Sequence, residues 1–347
     1  MSGRGPAGAF GSLALRPVSW IWRAVARGRN ARYDRGEGVR RAPIPVVSVG
    51  NLSVGGTGKT PFVAWAAAKL RVAGHRPAIA MRGYGASEAT MSDEAREYAM
   101  ALPDVPVLVG ADRHATILSW LAAHPGAIDV VLLDDGFQHR KLARDLDLVL
   151  VDAARPALDS PILPSGWLRE PADGLRRASA VIVTRAERID PALEAHISAL
   201  HGRPPIAWCR HAWRGLDLMR GASAERVGVD WLRDRRLFGV FGVGNPDAVR
   251  AAYERAGATI ADDAGARDHA TYGRADLERW IARAASTGAH AIATTRKDWT
   301  KIRDLAPPDA MPFVVPDVAL AFLDGESKVE TLLARAVADR HAVDSAT

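Results

Sequence analysis

Residues 46–61 read Val46-Val47-Ser48-Val49-Gly50-Asn51-Leu52-Ser53-Val54-Gly55-Gly56-Thr57-Gly58-Lys59-Thr60-Pro61. A β-branched run ends at Gly50, a glycine-rich turn follows, and Lys59 and Thr60 open an apolar, helix-like segment. This strand, loop, helix order suits a polyphosphate: backbone N–H groups at a helix N-terminus cradle it, the Lys reaches the outer phosphates and the Thr hydroxyl ligates Mg²⁺. The strict pattern has a glycine five residues before Gly58, where this chain has Ser53. A glycine-rich surface turn would share the glycines but has no use for Lys59 and Thr60. Gly55, Gly56, Thr57, Gly58, Lys59 and Thr60 are therefore the candidate nucleotide-binding residues.

The elements around this stretch alternate. Strands are expected at Ala78 to Met81, Pro106 to Val109, Asp129 to Asp135, Leu146 to Val151, Ala180 to Thr184 and Ile206 to Cys209. Helices are expected at Lys59 to Val72, from Asp93, at Arg113 to Ala123 and at Pro191 to Leu200. Such alternation predicts an α/β fold, a parallel sheet flanked by helices as in P-loop nucleotide-hydrolysing proteins. Trp213 to Val229 shifts to short alternating pieces rich in Arg and Gly. A second, smaller α/β unit then begins with a strand at Leu237 to Gly242 and a helix through Tyr253, continues through Arg274 to Ala285 and Ala289 to Thr294, and precedes a final helix at Lys328 to Ala338. The expected organisation is an N-terminal segment 1–43, a core domain 44–212, a hairpin-like linker 213–236, a smaller α/β domain 237–316, and a terminal strand and helix 317–347. A chain of 347 residues is long enough for about two such cores.

Asp129 to Asp135 is an apolar strand ending in two carboxylates, Asp134 and Asp135. An acidic strand tip beside a phosphate loop holds Mg²⁺ or its water, and paired carboxylates suit a hard cation. Gly136-Phe137-Gln138-His139 follows, with two polar side chains close to that position. The single cysteine, Cys209, excludes an intramolecular disulfide and a thiolate metal cluster, and no zinc spacing of Cys or His occurs.

The net charge of +6 is carried by the N-terminus: residues 1–41 hold nine Arg against Asp34 and Glu37. Between Phe10 and Arg27, Leu13, Leu15, Val18, Ile21, Trp22 and Val25 recur at helical spacing, with Trp20 and Arg residues among them and Pro17 beginning or interrupting the helix. A basic, Trp-bearing amphipathic helix suits a membrane surface. Packing on the protein's own core and a signal peptide are the alternatives, the second disfavoured by Arg16 and Arg23 within the apolar stretch. No apolar run reaches the roughly 18 residues of a transmembrane helix.

Taken in order, these motifs resemble the tetraacyldisaccharide 4′-kinases of lipid A biosynthesis. The resemblance rests on Gly50-Asn51 with the loop, Arg82-Gly83-Tyr84-Gly85, Asp93-Glu94, Asp134 to His139, Leu163-Pro164 with Leu168-Arg169-Glu170-Pro171, Gly242 to Pro246, Asp268-His269, and Lys297-Asp298 with Lys301. It implies transfer of the γ-phosphoryl group of ATP, with Mg²⁺, to the 4′-hydroxyl of a lipid disaccharide 1-phosphate. It also implies a peripheral position on the cytoplasmic face of the bacterial inner membrane, and no nucleic-acid partner is expected. Asp93 is implied as the general base, paired with His269, while Lys59 serves the phosphates. Arg113, Gln138, His139 and Arg169 are implied as substrate contacts, although an Arg169–Glu170 surface pair is an equally simple reading. The chain departs from the family at Ser92 and Ala95 around Asp93-Glu94, and at Trp167, Ala270 and Arg296. The rival reading is a membrane-associated regulatory or partitioning ATPase, but those carry a Lys before the paired glycines, where this chain has Val54. No Asn-Lys-x-Asp guanine motif occurs, which favours ATP over GTP.

Overall fold

The computed structural model describes residues 15–83, 93–221, 223–267, 270–307 and 310–344, with only the backbone described for Asp93 and for 341–344. Asp268, His269, Tyr84, Gly85, Ser92 and the first residues of the expected N-terminal helix lie outside the described residues. The chain divides into two compact units, one of residues 1–91, 98–211 and 320–347, the other of 92–97 and 212–319.

The first unit opens with helix α1 (Arg16–Asp34), which Pro17 begins rather than breaks. Strand β1 (Val46–Gly50) leads through the loop into α2 (Lys59–Val72). Next come β2 (Pro77–Met81), α3 (Asp93–Ala101, whose residues 93–97 are counted with the second unit), β3 (Val107–Val109), α4 (Arg113–Ala123), β4 (Val130–Asp134), β5 (Leu146–Asp152), β6 (Ala180–Thr184) and α5 (Pro191–His201). Strand β7 (Ala207–Arg220) then carries the chain into the second unit. The strand order in the first unit is β7-β6-β5-β1-β4-β2-β3, every pair parallel. Strands β1, β2, β4, β5 and β6 are buried along their whole length, as expected of a parallel sheet covered on both faces.

Helix α2 packs through Phe62, Val63, Ala66, Ala67 and Leu70. Its last residue, Val72, points to solvent, because it falls off the stripe set by the other five. Helix α4 has its expected bounds because Asp112 caps it, accepting from the Ala115 N–H at 3.2 Å.

The expected strand to Cys209 and the short pieces beyond it are one 14-residue strand, β7, whose second half lies in the second unit and turns antiparallel into β8 (Ser223–Val227). There follow β9 (Arg236–Val240), α6 (Pro246–Arg255), β10 (Thr259–Asp263), α7 (Arg274–Ser286), β11 (Ala291–Thr294), α8 (Arg296–Ile302) and β12 (Phe313–Asp324). Strands β10, β9, β11 and β12 lie side by side and parallel. Leu237, Tyr253, Ile260, Ala291 and Val314 are among the core side chains of this unit. The chain re-enters the first unit along β12 and ends in α9 (Glu326–Asp344), against α2.

Candidate active site

Two glycines bring the loop and the acidic strand tip together. A Cβ on Gly50 would lie 2.6 Å from the Phe137 nitrogen, and one on Gly136 would lie 2.5 Å from Ser48 Oγ. Only hydrogen fits at either place, so the end of β1 and the turn after β4 interlock, with the Gly136 N–H donating to the Val49 carbonyl at 3.1 Å. Strand register adds to this, pairing Val49 with Asp134.

The loop itself uses glycine for conformation. Gly55 and Gly58 have φ of 105° and 80°, and α2 starts at Gly58 with no side-chain cap. The first-turn N–H groups therefore have no partner within the helix and form the positive end of its dipole, an anion site. Lys59 and Thr60 are the first two residues of that turn.

The Lys59 ammonium donates to Asn51 Oδ1 at 3.2 Å and stands 3.5 Å from Asp135 Oδ1. Asn51 is wholly buried; its amide donates to the Ser53 carbonyl at 2.8 Å, and its own carbonyl accepts from Gln138. Asp135 adopts φ of 53°, the left-handed region tolerated by aspartate, in the tight turn after β4. Its other oxygen accepts from Arg169 at 2.6 Å. Burial works against ionisation of Asp135, but Lys59 and Arg169 outweigh it and hold the carboxyl below its ordinary pKa. Asp134 is buried, accepts from the Tyr98 hydroxyl at 3.0 Å, and offers its main-chain carbonyl to Arg113 at 3.2 Å.

These residues fit a Mg²⁺–nucleotide. The Asp135 Oδ1 atom is buried and accepts no hydrogen bond, facing only the Lys59 ammonium, and Thr60 supplies a hydroxyl at the helix start. Among the described residues no group of three or more His, Cys, Asp or Glu could cage an ion. None is needed for Mg²⁺, which takes one or two carboxylates together with substrate phosphates and water.

The structure brings Lys59, Thr60, Asp134, Asp135, Arg113 and Arg169 to one place, but separates the pair offered by Arg169 and Glu170. Arg169 turns to Asp135. Glu170, completely buried, accepts from Arg177 at 2.7 Å, Asn30 at 3.0 Å and Gln138 at 2.8 Å. The Gln138 amide group donates to the Asn51 carbonyl at 2.8 Å as well as to Glu170, so this side chain braces the loop from beneath. His139 has its pKa pushed down to about 4 by burial, with Arg113 and Arg144 adding to the effect, and is a neutral imidazole at pH 7. Asp93 begins α3, with its side chain outside the described residues, as is His269.

Sequence reasoning gave no role to Asn51, Glu170, Thr184 or Arg185. Asn51 stood beside the loop as a possible signal. The Thr184 hydroxyl donates to the Thr57 carbonyl at 2.7 Å, and the Arg185 guanidinium bridges the Gly56 carbonyl and Asp152, contacts spanning about 30 to 130 residues of chain with no local signature.

A parallel sheet, a glycine loop opening a helix at Lys-Thr and paired carboxylates on the adjacent strand tip define a P-loop phosphotransferase site. The family model described as tetraacyldisaccharide-1-P 4′-kinase matches residues 11–338, and the chain belongs to this family. The tetraacyldisaccharide 4′-kinase of Anaeromyxobacter dehalogenans (strain 2CP-C) is 38% identical over 319 residues, covering 86% of this chain and 83% of the relative. That of Geobacter metallireducens is 37% identical over 309 residues, covering 84% and 88%. The crystal structure of LpxK from Aquifex aeolicus in complex with ATP superposes with a TM-score of 0.72 at 27% identity, covering 94% of this chain and 99% of that one. The chain is thus a kinase, and the regulatory ATPase reading, already weakened by Val54, is the poorer one.

Proposed function

We infer that this protein transfers the γ-phosphoryl group of ATP to the 4′-hydroxyl of a tetraacyldisaccharide 1-phosphate. The family match over residues 11–338 carries this reading, and the chemistry at the loop supports it. Phosphoryl transfer asks mainly for positioning and charge neutralisation. Lys59 and the loop amides take the β- and γ-phosphates, and in doing so Lys59 exchanges Asn51 and Asp135 for phosphate oxygens. Thr60 and Asp134 or Asp135 hold Mg²⁺, which when bound neutralises charge on the transferring phosphoryl group. Arg113 and Arg169 stand near enough to Asp134 and Asp135 to serve acceptor or phosphate, with Gln138 and His139 shaping that side.

Asp93 is assigned as the general base and His269 as its partner, on the family resemblance. A carboxylate near an acceptor hydroxyl takes its proton as the new bond to phosphorus forms, and a histidine beside it raises its basicity.

The acceptor is a lipid, so the enzyme is assigned to the cytoplasmic face of the bacterial inner membrane as a peripheral protein with no nucleic-acid partner. Helix α1 supports this. Its small polar face docks, Ser19 donating to the Ile162 carbonyl at 2.9 Å with Ala26 also buried, while Trp20 is 71% and Ile21 67% exposed. No described helix is long and apolar enough to cross a membrane.

The deciding experiment supplies Mg-ATP and detergent-dispersed tetraacyldisaccharide 1-phosphate to the purified protein. The expected product is the 1,4′-bisphosphorylated lipid; ATP consumption without it would sink the assignment.

A further inference from the structure

Asp135 holds its backbone in the left-handed region, at φ of 53°. That conformation costs a non-glycine residue free energy and persists only where the surroundings over-determine it. Lys59 and Arg169 grip the carboxylate, but Lys59 is the group that phosphate takes over when nucleotide enters the loop. The turn therefore needs a support that nucleotide does not remove.

Two arginines that the assigned chemistry does not use supply it. Arg144 donates through Nη2 to the Gly136 carbonyl at 3.1 Å and to the Phe137 carbonyl at 2.8 Å. Arg177, at the end of the short 3₁₀ helix Ala172–Arg177, donates to the same Phe137 carbonyl at 3.3 Å, and its guanidinium carbon sits 3.7 Å from the centre of the Phe137 ring. Each cation is itself secured. The Arg144 Nε stands 3.0 Å from Asp147 Oδ2 on β5, while Arg177 donates to Glu170 at 2.7 Å and to the Gly174 carbonyl at 3.2 Å. Burial works against the charge on Arg144, and Asp147 offsets this in part. Buried ion pairs add little stability over apolar side chains of the same volume. What these add is geometry. The Gly136 N–H is fixed to Val49 and the next two carbonyls to the arginines, so three successive peptide groups after Asp135 are held. Because Glu170 adjoins Arg169, Arg177 also ties the loop that supplies Arg169 to the turn that supplies Asp135.

We propose that Arg144 and Arg177 are positioning residues of the phosphotransferase site, clamping the peptide groups after Asp135 so that its Oδ1 oxygen stays turned to the metal side of the phosphate loop. They touch neither nucleotide nor acceptor and act through Asp135. The inference rests on the kinase reading for the choice of Mg-ATP.

ATP affinity is measured by competition against a ribose-labelled fluorescent ATP, in Mg²⁺ and in EDTA, so that the gain from Mg²⁺ reports the metal side without turnover. The wild-type protein should bind more tightly with Mg²⁺. Arg177→Ala and Arg144→Met should remove most of that gain while affinity in EDTA stays nearly unchanged, and should lower kcat for the lipid about tenfold or more, the range for losing a group that orients a metal ligand. Arg177→Lys keeps the charge but not the fork, so it should recover only part of the gain, and it carries the test if Arg177→Ala does not fold. Arg177 borders a cavity of about 280 Å³, so guanidinium ion below its denaturing range should restore part of the gain to Arg177→Ala. In Asp135→Asn the gain is already lost, and adding Arg177→Ala should change it little, as expected when one residue acts through another. The proposal is overturned if the wild type shows no gain, if the arginine variants keep it, if the loss from Arg177→Ala is as large in Asp135→Asn as in the wild type, or if Arg176→Ala, the same charge removed one residue away, has the same effect. A gain that depends on both arginines without lipid product would sink the kinase reading alone, and lipid product with the full gain in Arg177→Ala would sink this inference alone.

Discussion

Asp135 is where the site concentrates its charge. One carboxylate faces Lys59 and Arg169, and its left-handed backbone aims it there. Asp135→Asn keeps the shape but removes the charge that orders both cations and suits Mg²⁺. Lipid phosphorylation should fall by about 10² or more in kcat, the scale of losing one preorganised electrostatic group, while the melting temperature stays nearly unchanged; an unaltered kcat would leave the metal role to Asp134. The buried histidines set acid sensitivity. His211 titrates near 4 in the folded protein and near 6.5 when unfolded, so between these values the unfolded chain binds more protons and acid favours unfolding. Its contribution is fully present above about pH 7 and is lost as pH falls toward 4. At pH 5 the loss is on the order of 2 kcal/mol, and His139 acts in the same direction. Urea midpoints at pH 7.5 and 5.0 should show this decline, and His211→Gln should flatten it.

At the scale of elements, the interlock of β1 with the turn after β4 decides whether loop and carboxylates meet. Gly50→Ala would drive a methyl into Phe137 backbone and Cβ atoms, which cannot rotate away as a long side chain would. Destabilisation of about 1–3 kcal/mol is expected, with loss of nucleotide binding as the loop is displaced. Gly28→Ala in α1, where a Cβ meets nothing within 4 Å, should instead stabilise by up to about 1 kcal/mol. Thermal unfolding of the two variants checks both directions. Most of these elements were legible in advance: α4 and β6 have their expected bounds because a cap or a continuous apolar run marks them. The long β7 was not, since its Arg- and Gly-rich half lacks an apolar alternation, and its Asp217 and Arg226 partners are recognised only once β8 folds back. Strand β10 carries Asp262 and Asp263, poor strand formers paired with Arg283 and Arg250.

For the molecule as a whole, composition placed the basic charge at the N-terminus but not the direction its helix faces. Periodicity alone would bury the apolar residues of α1. Instead Ser19 and Asn30 meet the loop 162–170 and Ala26 is buried, while Val18, Trp20, Ile21 and Val25 stay outside. Replacing Trp20 and Ile21 with Ser should weaken binding to anionic liposomes at least tenfold, from the apolar area no longer inserted, without shifting the melting temperature. Undiminished sedimentation with liposomes would move the membrane contact elsewhere.

The phosphate loop, its Lys59 and Thr60, the Asp134-Asp135 tip and the alternation that makes the sheet were all readable from residues 46–61 and the strands around them. Each is written in a contiguous window, where spacing alone imposes geometry. Folding supplied the rest: Asp135 set between Lys59 and Arg169, Glu170 buried against Gln138 and Asn30, Gly50 fitted against Phe137, and Thr184 with Arg185 clasping the loop. These partners lie far apart in the chain, and strand order and register, which local patterns do not encode, bring them into contact.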